Sequence, residues 1–160
     1  MTVDLASSAE LTFLFTDIEA STRAWDRDIA AMDVAQQRHD VIVRQCITAH
    51  NGRIFATAGD GVAAAFSQAD EAVGAAVDAQ RSLLVEPWPD EAPVRVRMGL
   101  HTGVAIERDG DYFGPTVIRA ARLMSLVDGG RIICSSATGA AVGGRLAEVH
   151  LLPVGTVQLK

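Results

Sequence analysis

The sequence is poor in aromatic residues, which make up 5% of its 160 positions. Its core must therefore be built largely from Ala, Val, Leu and Ile. It has two cysteines, Cys46 and Cys134, and no CxxC pair. Each sits in an apolar setting (VRQCI and RIICS) and reads as a free buried thiol. A structural zinc site would need more ligands at short spacing. The histidines, His39, His50, His101 and His150, form no HExxH motif. Nothing points to an oxidising compartment. No apolar run approaches the ~18 residues of a membrane span. The first ten residues, MTVDLASSAE, lack the basic and apolar regions of a signal peptide. The expectation is a cytoplasmic protein without membrane contact. A basic excess is missing too: 14 Lys and Arg stand against 20 Asp and Glu, for a net charge of −6. That argues against a nucleic-acid partner, which needs clustered positive charge. An acidic protein still binds a nucleotide when metal ions supply the positive charge.

What is present is an ordinary globular balance of 49% hydrophobic and 21% charged residues. No internal repeat or long linker interrupts it. The length suits one domain over residues 1–160. LTFLF at 11–15 reads as a buried strand ending at Thr16-Asp17. A helix is expected from about Val34 to His50, with Val34, Val41, Ile42, Cys46 and Ala49 as its apolar stripe. Asn51-Gly52 ends it. RIFATAGDGVAAAF at 53–66 reads as a hairpin turning at Asp60-Gly61. Gln68 to Leu84 is the next helix, with Ala72, Val73, Ala76, Val77, Leu83 and Leu84 on its apolar side. Residues 86–90, EPWPD, break the chain as a surface loop.

VRVRMGLHTGVAI then alternates as a long strand, with Val94, Val96 and Met98 on one face and Arg95 and Arg97 on the other. ERDGDYF turns it back. A helix over 115–126 begins with Pro115 in its first turn. RIICS is a short buried strand. GTVQLK reads as a final strand cut off near its edge, as in a domain truncated at its C-terminus. Mixed hairpins and helices predict an α+β fold, a ferredoxin-like core of mostly antiparallel sheet with helices packed on it.

Two carboxylates stand out. Asp17 follows the first strand and Asp60 lies in the hairpin turn. In a ferredoxin-like sheet these elements are neighbours. Converging aspartates give divalent cations the hard oxygen ligands they require. Taken singly, each aspartate is equally at home as an ordinary turn or cap residue. The surrounding segments decide: FLFTDIEASTR, then ATAGDGVAAAF, then MGLHTGVAIERDGDYFGPTVIRAARLM. Together they resemble the class III adenylate/guanylate cyclase catalytic domain, particularly its bacterial soluble forms. The resemblance runs from about Leu11 to Ser136. A diguanylate cyclase would show a GGDEF-like hairpin, and this one reads AGDGV.

The resemblance implies roles. Asp17 and Asp60, with the backbone carbonyl of Ile18, match the ligands of two Mg²⁺ or Mn²⁺ ions. Glu19 to Thr22, including Ala20, Ser21 and Thr22, matches the loop whose amides hold the triphosphate. Asp111 matches the aspartate that reads the purine edge. Arg122 matches the arginine that stabilises pentavalent phosphorus, a role suited to a planar, permanently charged donor. His101 reads as structural. The implied reaction converts ATP, or GTP, to the 3′,5′-cyclic nucleotide and pyrophosphate. In the family the site spans a head-to-tail homodimer, with metal ligands from one copy and purine and arginine groups from the other.

Three positions depart from the pattern. Ala56 stands where the family has a purine-contacting lysine, and Ile118 where it has an asparagine one turn before the arginine. Ala20 replaces a glycine beside the triphosphate. A lost charged hydrogen bond is worth on the order of 1.5–3 kcal/mol. A lost transition-state group costs roughly 10²–10³ in rate. The expectation is a cyclase of low activity. The alternative is an inactive cyclase-like domain that binds nucleotide, regulates, or pairs with another cyclase chain.

Overall fold

In this computed structural model, residues 8–159 are described. The chain order is β1 (Ser8–Ile18), α1 (Ser21–Arg27), α2 (Ile29–Ala49), β2 (Arg53–Ala58), β3 (Gly61–Phe66) and α3 (Ala69–Val85). Then come β4 (Val96–Arg108), β5 (Asp111–Phe113), α4 (Pro115–Met124), β6 (Ile132–Cys134) and α5 (Ser136–Val142). The strands form one sheet in the order β2-β3-β1-β4-β5, and β6 also pairs with β4. All pairings are antiparallel except the parallel β4–β6 pair. The expected α+β architecture, with β1 beside the hairpin, is what forms.

Side-chain alternation gives the sheet two apolar faces. Leu14, Ala64, Phe66, Met98 and Leu100 pack under α2 and α3. Phe13, Ala65, Ala105 and Tyr112 pack with Ala120 of α4 on the other face. Small residues set the spacing there. A Cβ on Gly99 would lie 2.4 Å from Met124 N and 2.9 Å from Ala120 O, so α4 rests directly on the β4 backbone.

Several local expectations are corrected. β1 continues to Ile18, so Asp17 sits inside the strand rather than after it. Eleven residues pair with β4, and this ladder carries the strand past its apolar run. The hairpin turns at Gly59-Asp60, with φ +60° at Gly59, and Gly61 already belongs to β3. The α2 helix starts at Ile29, because the Asp28 side chain accepts from Ala31 N and caps it. Its buried stripe is Met32, Ala35, His39, Ile42, Val43 and Ile47, while Val34, Val41 and Ala49 are exposed. Leu84 is also exposed, while its neighbour Leu83 takes the buried side of the last turn of α3. The 86–90 loop is tied down by Trp88, whose Nε1–H donates to Leu83 O. Helix α4 stops at Met124, two residues early. Helices α1 and α5 are additions to the elements that periodicity predicts. Residues 155–159 form no strand, since nothing in the sheet pairs with them; Lys160 lies outside the described residues. Residues 1–7, read as lacking a signal peptide, also lie outside them. Both cysteines are free and only partly buried.

Candidate active site

Asp17 and Asp60 open onto one cleft of about 290 Å³, lined also by Phe15, Ala56 and Met124. Antiparallel pairing of β1 with β3, ending at Thr16 opposite Val62, brings the hairpin tip beside the end of β1. Asp60 then fastens the two elements together. Its Oδ2 accepts from Ile18 N at 2.5 Å and its Oδ1 from Ser21 Oγ at 3.0 Å. The loop from Glu19 to Thr22 is thereby anchored. Glu19 N donates to Arg95 O, and Glu19 Oε1 accepts from Gly129 N.

Ala20 takes the left-handed conformation, φ 55° and ψ 33°, as it leads into α1. A Cβ in that region costs roughly 1–2 kcal/mol. The glycine that the sequence lacks here would have served this turn.

Asp17 is engaged by a residue that sequence reading placed only on a strand face. Arg97 lies directly opposite it across the β1–β4 ladder. Nε and Nη2 of Arg97 donate to the two carboxylate oxygens, at 2.7 and 2.5 Å. The Asp17 hydrogen bonds raise the Arg97 pKa further, and Glu19 and Asp60 add attraction. The signal was the alternation in VRVRM, which sets Arg97 on the face of Asp17; the register that makes them partners is not visible in one strand. Two carboxylates and a backbone carbonyl are hard oxygen donors suited to Mg²⁺ or Mn²⁺. The Arg97 guanidinium already engages both oxygens of Asp17, so a divalent cation bound there would compete with it. Among the described residues no group of three or more His, Cys, Asp or Glu side chains is placed to hold a metal.

The family model for the adenylate and guanylate cyclase catalytic domain matches residues 3–160. The chain belongs to this family. An uncharacterized protein of Mycobacterium tuberculosis is 39% identical to this cyclase domain over 159 residues, covering 98% of this chain and 53% of the relative. An adenylate cyclase of Neurospora crassa is 32% identical over 154 residues, covering 81% of this chain and 7% of that protein. The domain thus spans about half the length of the first curated relatives it matches.

Among solved structures, a Trypanosoma brucei adenylate cyclase in its monomeric state superposes with a TM-score of 0.86, covering 94% of this chain and 84% of that one. At 24% identity this is a likeness of fold. An adenylate/guanylate cyclase/hydrolase from Silicibacter pomeroyi gives 0.82 at 26% identity, covering 96% and 90%.

The remaining candidate residues of the cyclase domain lie outside this cleft. Asp111 opens β5, paired with Arg108 at the far end of β4. Arg97 and Arg108 are separated by eleven steps along β4, roughly 36 Å at the usual strand rise. Asp111 is exposed, and its Oδ1 accepts from Tyr112 N. Arg122 is exposed on α4, and its guanidinium has no partner among the described residues. Ile118, one turn earlier on the same face, is 50% exposed. His101 sits in the middle of β4, largely buried, with Nδ1 hydrogen-bonded to Ser135 Oγ at 2.6 Å. Among the described residues, no helix of the cyclase domain is long and apolar enough to cross a membrane.

Proposed function

We propose that this chain is a nucleotidyl cyclase forming 3′,5′-cyclic AMP, or less readily cyclic GMP, and pyrophosphate, at a low rate. The observation that carries the reading is the meeting of Asp17 and Asp60 in one cleft. In the proposed reaction the ribose 3′-oxygen attacks the α-phosphorus, the bond from that phosphorus to the oxygen bridging to the β-phosphate breaks to release pyrophosphate, and the hydroxyl proton passes to water. Asp17, Asp60 and the Ile18 carbonyl would hold two Mg²⁺ or Mn²⁺ ions, which, when bound, acidify the 3′-hydroxyl and neutralise the triphosphate. Asp60 also keeps Ile18 and Ser21 in place, so the loop from Ala20 to Thr22 is set before substrate arrives. Backbone N–H groups of that loop receive phosphate oxygens. Arg122 donates to the oxygens that gain charge as phosphorus becomes pentavalent. Asp111 accepts from the purine edge.

Asp17 and Asp111 lie at opposite ends of β4, which supports a site completed head to tail by a second copy. Ala56 offers no donor to the purine, and Ile118 none to the ribose. Their loss supports weak base selection and slow turnover, each on the order of 10²-fold.

The test is incubation with ATP or GTP and Mn²⁺ across a protein concentration series, with cyclic product read by chromatography. A rate rising faster than linearly with concentration is expected, as is its loss in Asp17→Ala and Asp60→Ala. No product from either nucleotide at high concentration refutes the catalytic reading. The exposed apolar side chain of Ile118 beside Arg122 favours a second reading, a non-catalytic partner that lends its metal half to another cyclase chain. Activity of Ala56→Lys with Ile118→Asn in a single chain supports the first reading; activity only on mixing with a chain carrying Lys and Asn supports the second.

A further inference from the structure

A second cavity, of about 350 Å³, lies away from the aspartate cleft, between α4, β6 and residues 154–159. Its lining separates by chemistry. Leu123, Ile133 and Val157 supply apolar wall, and Arg119, His101 and Ser135 supply the polar end. No Asp or Glu lines it. In a chain of net charge −6, that leaves a pocket whose fixed charge is positive and unbalanced. Arg119 has no hydrogen-bond or ion-pair partner among the described residues. Its charge is felt by His101, whose pKa is held below the ordinary imidazole value chiefly by burial and then by Arg119.

His101 is held in a definite orientation. Ser135 Oγ accepts from Thr138 N at the start of α5 and lies 2.6 Å from His101 Nδ1. With the hydroxyl hydrogen directed at Nδ1, the neutral imidazole carries its hydrogen on Nε2. That nitrogen has no partner among the described residues, although His101 is only 9% exposed. In that tautomer the pocket offers one permanent cation and one neutral N–H donor beside an apolar wall.

We propose that this cavity binds a small monocarboxylate with a short apolar tail. The carboxylate pairs with the Arg119 guanidinium and accepts from His101 Nε2–H, and the tail lies against Leu123, Ile133 and Val157. A planar two-oxygen anion suits the guanidinium fork. A free phosphate dianion would meet only one compensating charge and would leave the apolar wall unused. The site goes beyond the cyclase reaction, and its occupancy is measured without turnover. It also touches the proposed catalytic machinery, because Arg119 precedes Arg122 by one turn of α4. A bound carboxylate ties that helix to β4 through His101.

The experiment is calorimetric titration of the full chain with hexanoate and octanoate, against hexanol and inorganic phosphate. Saturable binding of both carboxylates is expected, with octanoate tighter. Hexanol, phosphate, and hexanoate on Arg119→Gln should each be weaker by about tenfold or more. Arg119 is exposed, so this variant is not expected to disturb folding.

An independent readout uses Cys134, which also lines the cavity. Its alkylation by iodoacetamide at about pH 8.5, followed by peptide mass spectrometry, should slow several-fold with hexanoate. Cys46 on α2 lies outside the cavity and should be unaffected. The proposal is overturned by absence of saturable carboxylate binding, by equal binding to Arg119→Gln, by phosphate binding as tightly as octanoate, or by equal protection of both cysteines. None of these outcomes depends on whether the chain makes cyclic nucleotide.

Discussion

Replacing Arg97 by methionine tests the proposed competition between this guanidinium and a divalent cation for Asp17. The side chains of this pair are 28% and 21% exposed, so it is neither a surface contact nor fully buried. Breaking a buried pair costs about 3–5 kcal/mol, and an exposed pair contributes about 0.2–1 kcal/mol. For a two-pronged contact of intermediate exposure, about 2 kcal/mol is the working figure. In a 160-residue domain that loss lowers Tm by roughly 4–8 °C in the absence of metal.

The sign reverses when Mn²⁺ is added. In the proposed metal site the ion displaces the guanidinium, so its apparent affinity carries the pair's free energy as a handicap. About 2 kcal/mol is a factor of about 30 in affinity. Arg97→Met should therefore bind Mn²⁺ more tightly and show a larger metal-induced rise in Tm. Thermal unfolding and calorimetric titration, with and without Mn²⁺, measure both arms, and Asp17→Asn should remove the metal response. Equal Mn²⁺ affinity in parent and Arg97→Met would show that Asp17 is not the shared ligand.

Other outcomes follow from single contacts. Asp60→Ala removes acceptors for Ile18 N and Ser21 Oγ, so it should cost about 2 kcal/mol by urea unfolding as well as any turnover; an unchanged midpoint contradicts the fastening role. Ala20→Gly relieves a left-handed alanine and should stabilise by about 0.5–1 kcal/mol after the added unfolded-state entropy; a fall in Tm refutes this. Gly99→Ala drives a Cβ into the backbone of α4 and should cost about 3 kcal/mol while weakening any Arg122-dependent activity; an unaltered Tm is incompatible with that packing. His101 has a folded pKa below the 6.5 of the free side chain, so the unfolded chain takes up the proton first. Its stabilising contribution is present above about pH 6.5 and is lost as pH falls towards the folded value. His101→Gln should flatten the decline in Tm between about pH 7 and pH 5, and an identical slope in both proteins argues against the burial.

The sheet, its hairpin and the helices on both sides are legible in the sequence because periodicity and turn residues are local. Asp-Gly in AGDGV announces a turn, although the structure centres it one residue earlier. What local pattern does not carry is pairing over distance. Asp17 lies within β1 only because eleven residues of β4 continue the ladder, and Arg97 meets Asp17 only through that register, 80 positions away. Val34, Val41 and Leu84 are apolar at helical spacing but face outward, since the neighbouring helix and sheet choose which stripe is covered. GTVQLK has strand-forming residues, yet strand propensity expresses itself only against a partner. The aspartate pair was legible through its surrounding motifs; the way Asp60 pins Ile18 and Ser21 was not.

Strand β2 closes one side of the sheet, and its ladder to β3 slips between Ile54 and Ala56. The irregular residue, Phe55, turns its ring onto Phe13 and Tyr112. A bulge of this kind spoils the outer rim as a template, because an incoming strand cannot stay in step along it. Any joining of two copies is thereby steered to broad surfaces rather than to backbone zippering. A second copy meeting this rim would find no regular strand edge to extend.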